Sequence, residues 1–191
     1  MFYLGLDLGK KHDHTAIAIV EKRGDRLLVR HLERVPLGTP YPGVVARVGE
    51  IVDRLGQCAV VVDGTGVGEP VVDALRRAGL GCEITAVTIT GGERQSRAGA
   101  ICSVPKQDLI AGVQMAMEKG ELRVARRLGE AGALVKEMLN VRIMAGLATG
   151  KVRMGADGYG EHDDLVIALA LACWRARRRE IGFVNRRLPG I

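Results

Sequence analysis

The hydrophobic pattern of the chain changes period several times, and those changes mark its elements. Phe2–Leu8 is an apolar run interrupted only by Gly5 and Asp7, and it reads as a strand. Lys10–His14 is a polar turn, Thr15–Glu21 is a second β-rich run, and Lys22-Arg-Gly-Asp25 has the composition of a hairpin turn. Arg26–Val35 alternates, with Leu28 and Leu32 set between Arg30 and Arg34, as a half-exposed third strand does. Short turns between these three runs require antiparallel pairing. The period then becomes helical through Val44, Val45, Val48, Ile51, Val52 and Leu55. Ala59–Asp63 is again a strand, followed by three alternate glycines and a helix over about Val71–Ala78 that stops at Gly79. Cys82–Thr90 reads as a strand, and Gly91–Ala100 as a polar, mobile loop. A helix is expected from Pro105 to Gly120, with Leu109, Ile110, Val113 and Met117 on one face, and another over Glu130–Leu139. Two short strands are expected within Asn140–Met154. A glycine-rich loop follows at Gly155–Gly160. The apolar helix Leu165–Trp174 then runs into the basic stretch Arg175–Arg179.

Three antiparallel strands followed by alternating helix and strand predict a mixed α/β sheet flanked by helices, in the ribonuclease H order. The 191 residues contain no repeat and no linker, so a single domain over 1–191 is expected, with a basic tail from about residue 175. Aromatic residues are only 3 %, so the core has to be aliphatic, and binding of single strands on stacked aromatic platforms is disfavoured. The net charge of +6 is compatible with a polyanionic partner. Cys58, Cys82, Cys102 and Cys173 are far apart and form no Cys-x-x-Cys pair; their apolar neighbours predict buried free thiols. There is no secretory leader pattern, and the run Leu165–Trp174 is too short to span a bilayer, so a cytoplasmic location without membrane contact is expected.

The chemistry concentrates in acids at strand and helix ends. Asp63 closes an apolar strand just where open α/β sheets carry their ligands. Asp7 sits inside another apolar strand, where an unpaired carboxylate is costly. Glu161-His162-Asp163-Asp164 stands directly before the last helix and holds more acid than capping requires. Asp7, Asp63 and one or both of Asp163 and Asp164 supply the oxygen ligands that Mg²⁺ or Mn²⁺ prefers. Two such ions can activate water and stabilise the leaving oxygen of a phosphodiester. His162 is a candidate ligand or proton shuttle and Lys106 a nearby cation, and Glu161 is one of the surplus acids. Lys10, Lys11, Arg94, Arg97, Arg175 and Arg178 are candidate contacts to a DNA backbone, together with the other arginines of the tail. Two phosphate-binding patterns fail on spacing. Gly64-x-Gly66-x-Gly68 has Glu69 where a dinucleotide turn needs its third glycine, and Gly146–Val152 lacks one residue and the hydroxyl of a P-loop.

Four segments, taken in order, resemble the nuclease domain of phage large terminase subunits. They are Gly5-Leu-Asp7-Leu-Gly-Lys-Lys-His-Asp13-His-Thr15, Val61-Val-Asp63-Gly-Thr-Gly-Val-Gly68, Val104-Pro-Lys106-Gln-Asp-Leu109 and His162-Asp-Asp-Leu-Val-Ile-Ala-Leu-Ala170. The resemblance implies a ribonuclease H-like fold related to RuvC-type resolvases and metal-dependent cleavage of double-stranded DNA. It also implies Asp7, Asp63 and Asp164 (with Asp163) as metal ligands, and packaging proteins, an ATPase or a small terminase subunit, as partners. Two acids set three apart in RuvC-like relatives favour Asp164 as ligand, leaving Asp163 to cap the helix. The chain begins directly at the first strand and carries no Walker motif, unlike a whole large subunit. The alternatives are a RuvC-like Holliday junction resolvase, an actin-like ATP-binding protein, and a DNA-binding homologue without catalysis.

Overall fold

In the computed structural model, residues 1–9, 13–66, 68–99, 101–145, 152–155 and 162–178 are described. The strands are β1 (Phe2–Asp7), β2 (Ala16–Arg23), β3 (Arg26–Arg34), β4 (Cys58–Asp63), β5 (Glu83–Thr90), β6 (Ser96–Ala98), β7 (Ile101–Pro105), β8 (Leu122–Val124), β9 (Arg142–Ala145) and β10 (Val152–Gly155). The helices are α1 (Tyr41–Leu55), α2 (Gly68–Arg77), α3 (Lys106–Glu118), α4 (Ala131–Asn140) and α5 (Asp164–Arg177). Eight strands form one sheet in the order β6-β7-β5-β4-β1-β2-β3-β8, and β9 and β10 form a separate antiparallel pair. This is the mixed sheet flanked by helices of the ribonuclease H-like fold.

The three opening strands are antiparallel, as their short turns require: Asp7 pairs with Ala16, and Arg23 with Arg26. β4 and β5 then add in parallel on the other side of β1, with Leu6 beside Val62 and Asp63 beside Val87. Two features depart from the expected pattern. The polar stretch after β5 is not only a loop, because Ser96–Ala98 pairs antiparallel with β7, and β7 extends the sheet beside β5. Leu122–Val124 also adds as a short parallel strand beside β3. These added strands are three to five residues long, too short to show a period. The expected pair of strands near residue 146 is present, while the glycine-rich segment between them and the loop at 156–160 lie outside the described residues.

The period of two in the strands sorts the core into two layers. Tyr3, Ala16, Ala18, Ala59 and Val61 pack with α3, α4 and α5 on one face. Leu4, Leu6, Ile17, Val60 and Val62 pack with α1 and α2 on the other. α5 is buried along nearly its whole length, from Asp164 to Cys173. It lies against β1 because Gly5 leaves room for it: a Cβ at Gly5 would stand 1.9 Å from the carbonyl oxygen of Ala168 and 2.9 Å from the nitrogen of Ala172. Among the described residues no helix is long and apolar enough to cross a membrane. The four cysteines are free; Cys58, Cys102 and Cys173 are buried and Cys82 is half-buried.

Candidate functional site

The close approach at Gly5 sets the geometry of the acids. Asp7 is two residues beyond Gly5, on the same face of β1. Asp164 is four residues before Ala168, on the same side of α5. The contact that brings Ala168 onto Gly5 therefore brings Asp164 towards Asp7. Asp63 ends the neighbouring parallel strand beside Asp7, and its odd-numbered neighbours Ala59 and Val61 also face α5. Three acids from distant parts of the chain thus meet at one end of the sheet under one helix start.

Their electrostatics record the proximity. The Asp7 carboxyl is raised well above its ordinary value, first by burial and then by the charges of Asp63, Asp164 and Asp163, against a lowering by Lys106. Asp164 is 8 % exposed, and its Oδ2 is buried with no hydrogen-bond partner among the described residues. Its pKa is raised by burial above all; His162 and Arg34 lower it, while Asp13 and Asp163 raise it further. Asp63 holds its own loop, accepting the Thr65 N–H on Oδ1 at 2.8 Å, and the Thr65 hydroxyl oxygen in turn accepts the Ile89 N–H. That Asx turn accounts for the glycines after β4 without a nucleotide.

The expected roles of Asp163 and Asp164 divide differently from what the sequence suggests. Asp163 occupies the N-cap position of α5, but its side chain caps nothing. It faces Lys106 instead, with Nζ to Oδ2 at 2.6 Å, so the Val104-Pro-Lys106 segment delivers an ammonium into the acid cluster from the first turn of α3. The cap comes from a residue that sequence reasoning missed. Glu137 on α4, 4 % exposed, accepts the Val166 N–H on Oε2 at 3.0 Å and pairs with Arg34 through Oε1. A sequence signal existed, since Glu137 follows Leu134 by three on the buried face of α4, where a surface acid does not belong.

His162 is half-exposed. Its Nδ1 is 3.8 Å from Asp164 Oδ2 and 3.9 Å from Asp13 Oδ1, beyond hydrogen-bond length, and its ring meets His14 edge-on at 6.4 Å. His14 is not on a free turn, because its Nδ1 lies 3.1 Å from the Val35 carbonyl oxygen. Glu161, Lys10 and Lys11 lie outside the described residues. Arg94 and Arg97 are exposed on the β5–β7 excursion, and Arg97 donates to the Gly99 carbonyl.

Of the two arginines expected at a DNA backbone, Arg175 is buried and Arg178 is exposed at the end of α5, and both have partners within the chain. Arg175 is buried, 2.5 Å from Glu83, which opens β5 at the end of the sheet away from Asp63. Arg178 stacks 4.2 Å over Trp174 and donates to Gln95 Oε1 at 3.2 Å. Arg177 likewise pairs with Glu121 and donates to the Gly112 carbonyl. At about 1.5 Å per residue, Arg175 begins about 16 Å along α5 from Asp164. A sequence period shows that a helix ends in arginines but not which partners they find.

The donors fit a hard divalent cation. All four acids offer carboxylate oxygens, one buried oxygen of Asp164 has no hydrogen-bond partner among the described residues, and the mutual repulsion felt by Asp7 is what a cation relieves. Among the described residues no three acidic, histidine or cysteine side chains already close around one point, so the acids are gathered rather than drawn into a ligand shell.

The chain matches the terminase RNaseH-like domain family over residues 4–175. No curated protein sequence matches it. Among solved structures it is similar to the large terminase nuclease of thermophilic phage G20c with bound cobalt, at 26 % identity and a TM-score of 0.71, over 92 % of this chain and 81 % of that one. It is also similar to the large terminase nuclease domain of Thermus phage P74-26, at 25 % identity and a TM-score of 0.65, over 90 % and 77 %. The terminase nuclease domain of human cytomegalovirus, soaked with manganese, shares the fold at 13 % identity and a TM-score of 0.57, over 90 % and 81 %. With the match extending from the first strand into the last helix, this chain belongs to the terminase RNaseH-like domain family.

Proposed function

We propose that this domain is a metal-dependent endonuclease that cuts double-stranded DNA with two divalent cations, Mg²⁺ or Mn²⁺. The observation that carries the reading is the meeting of Asp7, Asp63 and Asp164 under the start of α5, with a buried Asp164 oxygen that has no hydrogen-bond partner among the described residues. Asp7, between the other acids, is the residue that would reach both ions; Asp63 and Asp164 would hold one side each, with Asp163 completing the set. Bound there, the ions would activate a water and stabilise the leaving oxygen. The cobalt-bound G20c nuclease supports the choice of a divalent ion.

The remaining work falls to residues of the chain. Asp63 is held in its turn by the Thr65 N–H, so its position does not depend on substrate. The Lys106 ammonium balances part of the acid charge and stands where it can meet a phosphate oxygen when Asp163 turns to an ion. His162 stands beside Asp164 and is proposed to assist proton movement, a part that Glu161, one residue earlier in sequence, is proposed to share. Lys10 and Lys11 follow Asp7 closely in sequence, and Arg94 and Arg97 stand on the β5–β7 excursion, so these four are the proposed backbone contacts. Family membership favours this reading over the actin-like one. It also makes a DNA-packaging ATPase the natural partner.

The test is nicking of supercoiled plasmid. Wild-type protein should cut with Mn²⁺ or Mg²⁺, stop in EDTA and recover on adding the metal back. Asp7→Asn should fold and fail to cut. Cutting at the wild-type rate by Asp7→Asn, or cutting in EDTA, would remove the proposal. Comparing linear duplex with a four-way junction separates a duplex nuclease from a resolvase.

A further inference from the structure

The start of a helix leaves backbone N–H groups without partners, and a side chain at the N-cap usually takes one. At α5 the residue in that position does not, because Asp163 is turned to Lys106. The Val166 N–H is taken from outside the helix by Glu137 of α4, which is buried to 4 % exposure. The other carboxylate oxygen of Glu137 is paired with Arg34 at the end of β3, and Arg34 also reaches Glu130 at 3.7 Å. Burying an ion pair is a poor way to stabilise a core, since a well-packed apolar pair of the same size often does as well or better. The placement therefore calls for a role beyond packing.

That role follows from what lies next to Val166. Asp164 is two residues earlier, in the same turn, and its charge contributes to raising Glu137, while Arg34 lowers Asp164. The chain of contacts runs from β3 through Arg34 and Glu137 to the first turn of α5, and so to Asp164. Gly5 sets how deep the helix sits; the Glu137 bond fixes how its first turn is rotated.

We propose that Glu137, backed by Arg34, is a positioning residue for the metal site: by holding the Val166 N–H it fixes the first turn of α5 so that Asp164 faces Asp7. The inference rests on the reading of these acids as cation ligands. Groups that orient metal ligands typically change metal affinity by about 10- to 100-fold when altered.

The test separates reach from charge in the full chain. Glu137→Gln keeps an oxygen at the right length for Val166 but turns its amide NH2 to Arg34, so the charge and the Arg34 pair are lost together. Glu137→Asp keeps the charge and is one methylene too short. Mn²⁺ binding is followed by the electron paramagnetic resonance signal of free Mn²⁺, without DNA, beside far-UV circular dichroism and melting. Glu137→Gln should bind Mn²⁺ within about threefold of wild type, and Glu137→Asp about tenfold or more weakly while remaining folded. Unchanged binding by Glu137→Asp, or the reverse order of the two variants, overturns the inference and returns Glu137 to a purely structural part. Should Glu137→Asp melt below the assay temperature, Glu137→Met replaces it: the side chain keeps its length but offers the Val166 N–H no oxygen. Binding weakened severalfold supports the inference, and unchanged binding overturns it. Absence of Mn²⁺ binding by the wild type would overturn the metal reading and this inference with it, whereas failure of the inference alone leaves wild-type binding intact.

Discussion

Substituting Gly5 by alanine adds one methyl group where the acid cluster is most sensitive to the position of α5. Glycine to alanine in a strand ordinarily stabilises, by about 0.4–1 kcal/mol, through the unfolded chain. Here the added Cβ would stand 1.9 Å from the Ala168 carbonyl oxygen, against an ordinary contact of 3.4 Å or more. β1 is paired on both sides, to β2 and β4, and cannot yield. α5 must therefore move away by about 1.5 Å. Overpacking of this kind costs about 1–3 kcal/mol. At about 2–4 °C per kcal/mol for a chain of this size, Gly5→Ala should lower the melting temperature by about 2–12 °C. Activity should suffer more than stability, because Asp164 rides on the displaced helix one turn from Ala168. A misplacement of about 1 Å can cost about 100-fold in rate. Melting and plasmid cleavage, measured on the same preparation below the melting transition, check both parts. A variant that melts at or above the wild-type temperature and cuts within about twofold of its rate would refute the idea that Gly5 sets the depth of α5.

Other perturbations follow from the same contacts. Asp164→Asn removes a buried charge with an unpartnered oxygen, so melting in EDTA should be unchanged or a few degrees higher while cleavage falls by at least about 100-fold; a large loss of stability would contradict the packing described. Arg175→Met breaks the pair with Glu83 and should destabilise the fold, while the salt dependence of DNA binding stays as in wild type; a flatter slope would return Arg175 to the DNA interface. Glu33 is held below its ordinary value mainly by hydrogen bonding from Arg47, opposed by burial and aided by His31. A depressed carboxyl stabilises above its unfolded pKa and loses that contribution as pH falls through the folded one. The stability gap between wild type and Glu33→Gln should therefore be full near pH 7 and narrow as pH falls below the unfolded value of about 4.3, and a gap that does not change between about pH 7 and about pH 2 would refute the assignment.

How much of this was legible in the sequence depended on whether a residue's partner was local. Asp7 and Asp63 stood out because each breaks or ends an apolar run, which chain order alone reveals. The first three strands were readable because short turns dictate antiparallel pairing. Gly5 looked like any glycine in a strand, since its function is set by Ala168, far away in the chain. Asp163 read as a cap because aspartate before an apolar helix usually is one. Lys106 and Glu137, both distant in sequence, reassigned it. The arginines closing α5 read as candidate DNA contacts for the same reason: Glu83, Glu121 and Gln95, which engage them, are brought there only by the fold. β6, β7 and β8 were hidden by length, since three to five residues carry little period.

The central claim is that these acids close around cations, and a crystal soaked in Mn²⁺ and measured by anomalous scattering tests it most directly. Anomalous peaks are expected among Asp7, Asp63 and Asp164, with Asp7 touching both ions where two are bound, and the Asp164 Oδ2 satisfied by one of them. A fully Mn²⁺-loaded crystal with no anomalous density between these side chains, or with density only elsewhere on the protein, would contradict it.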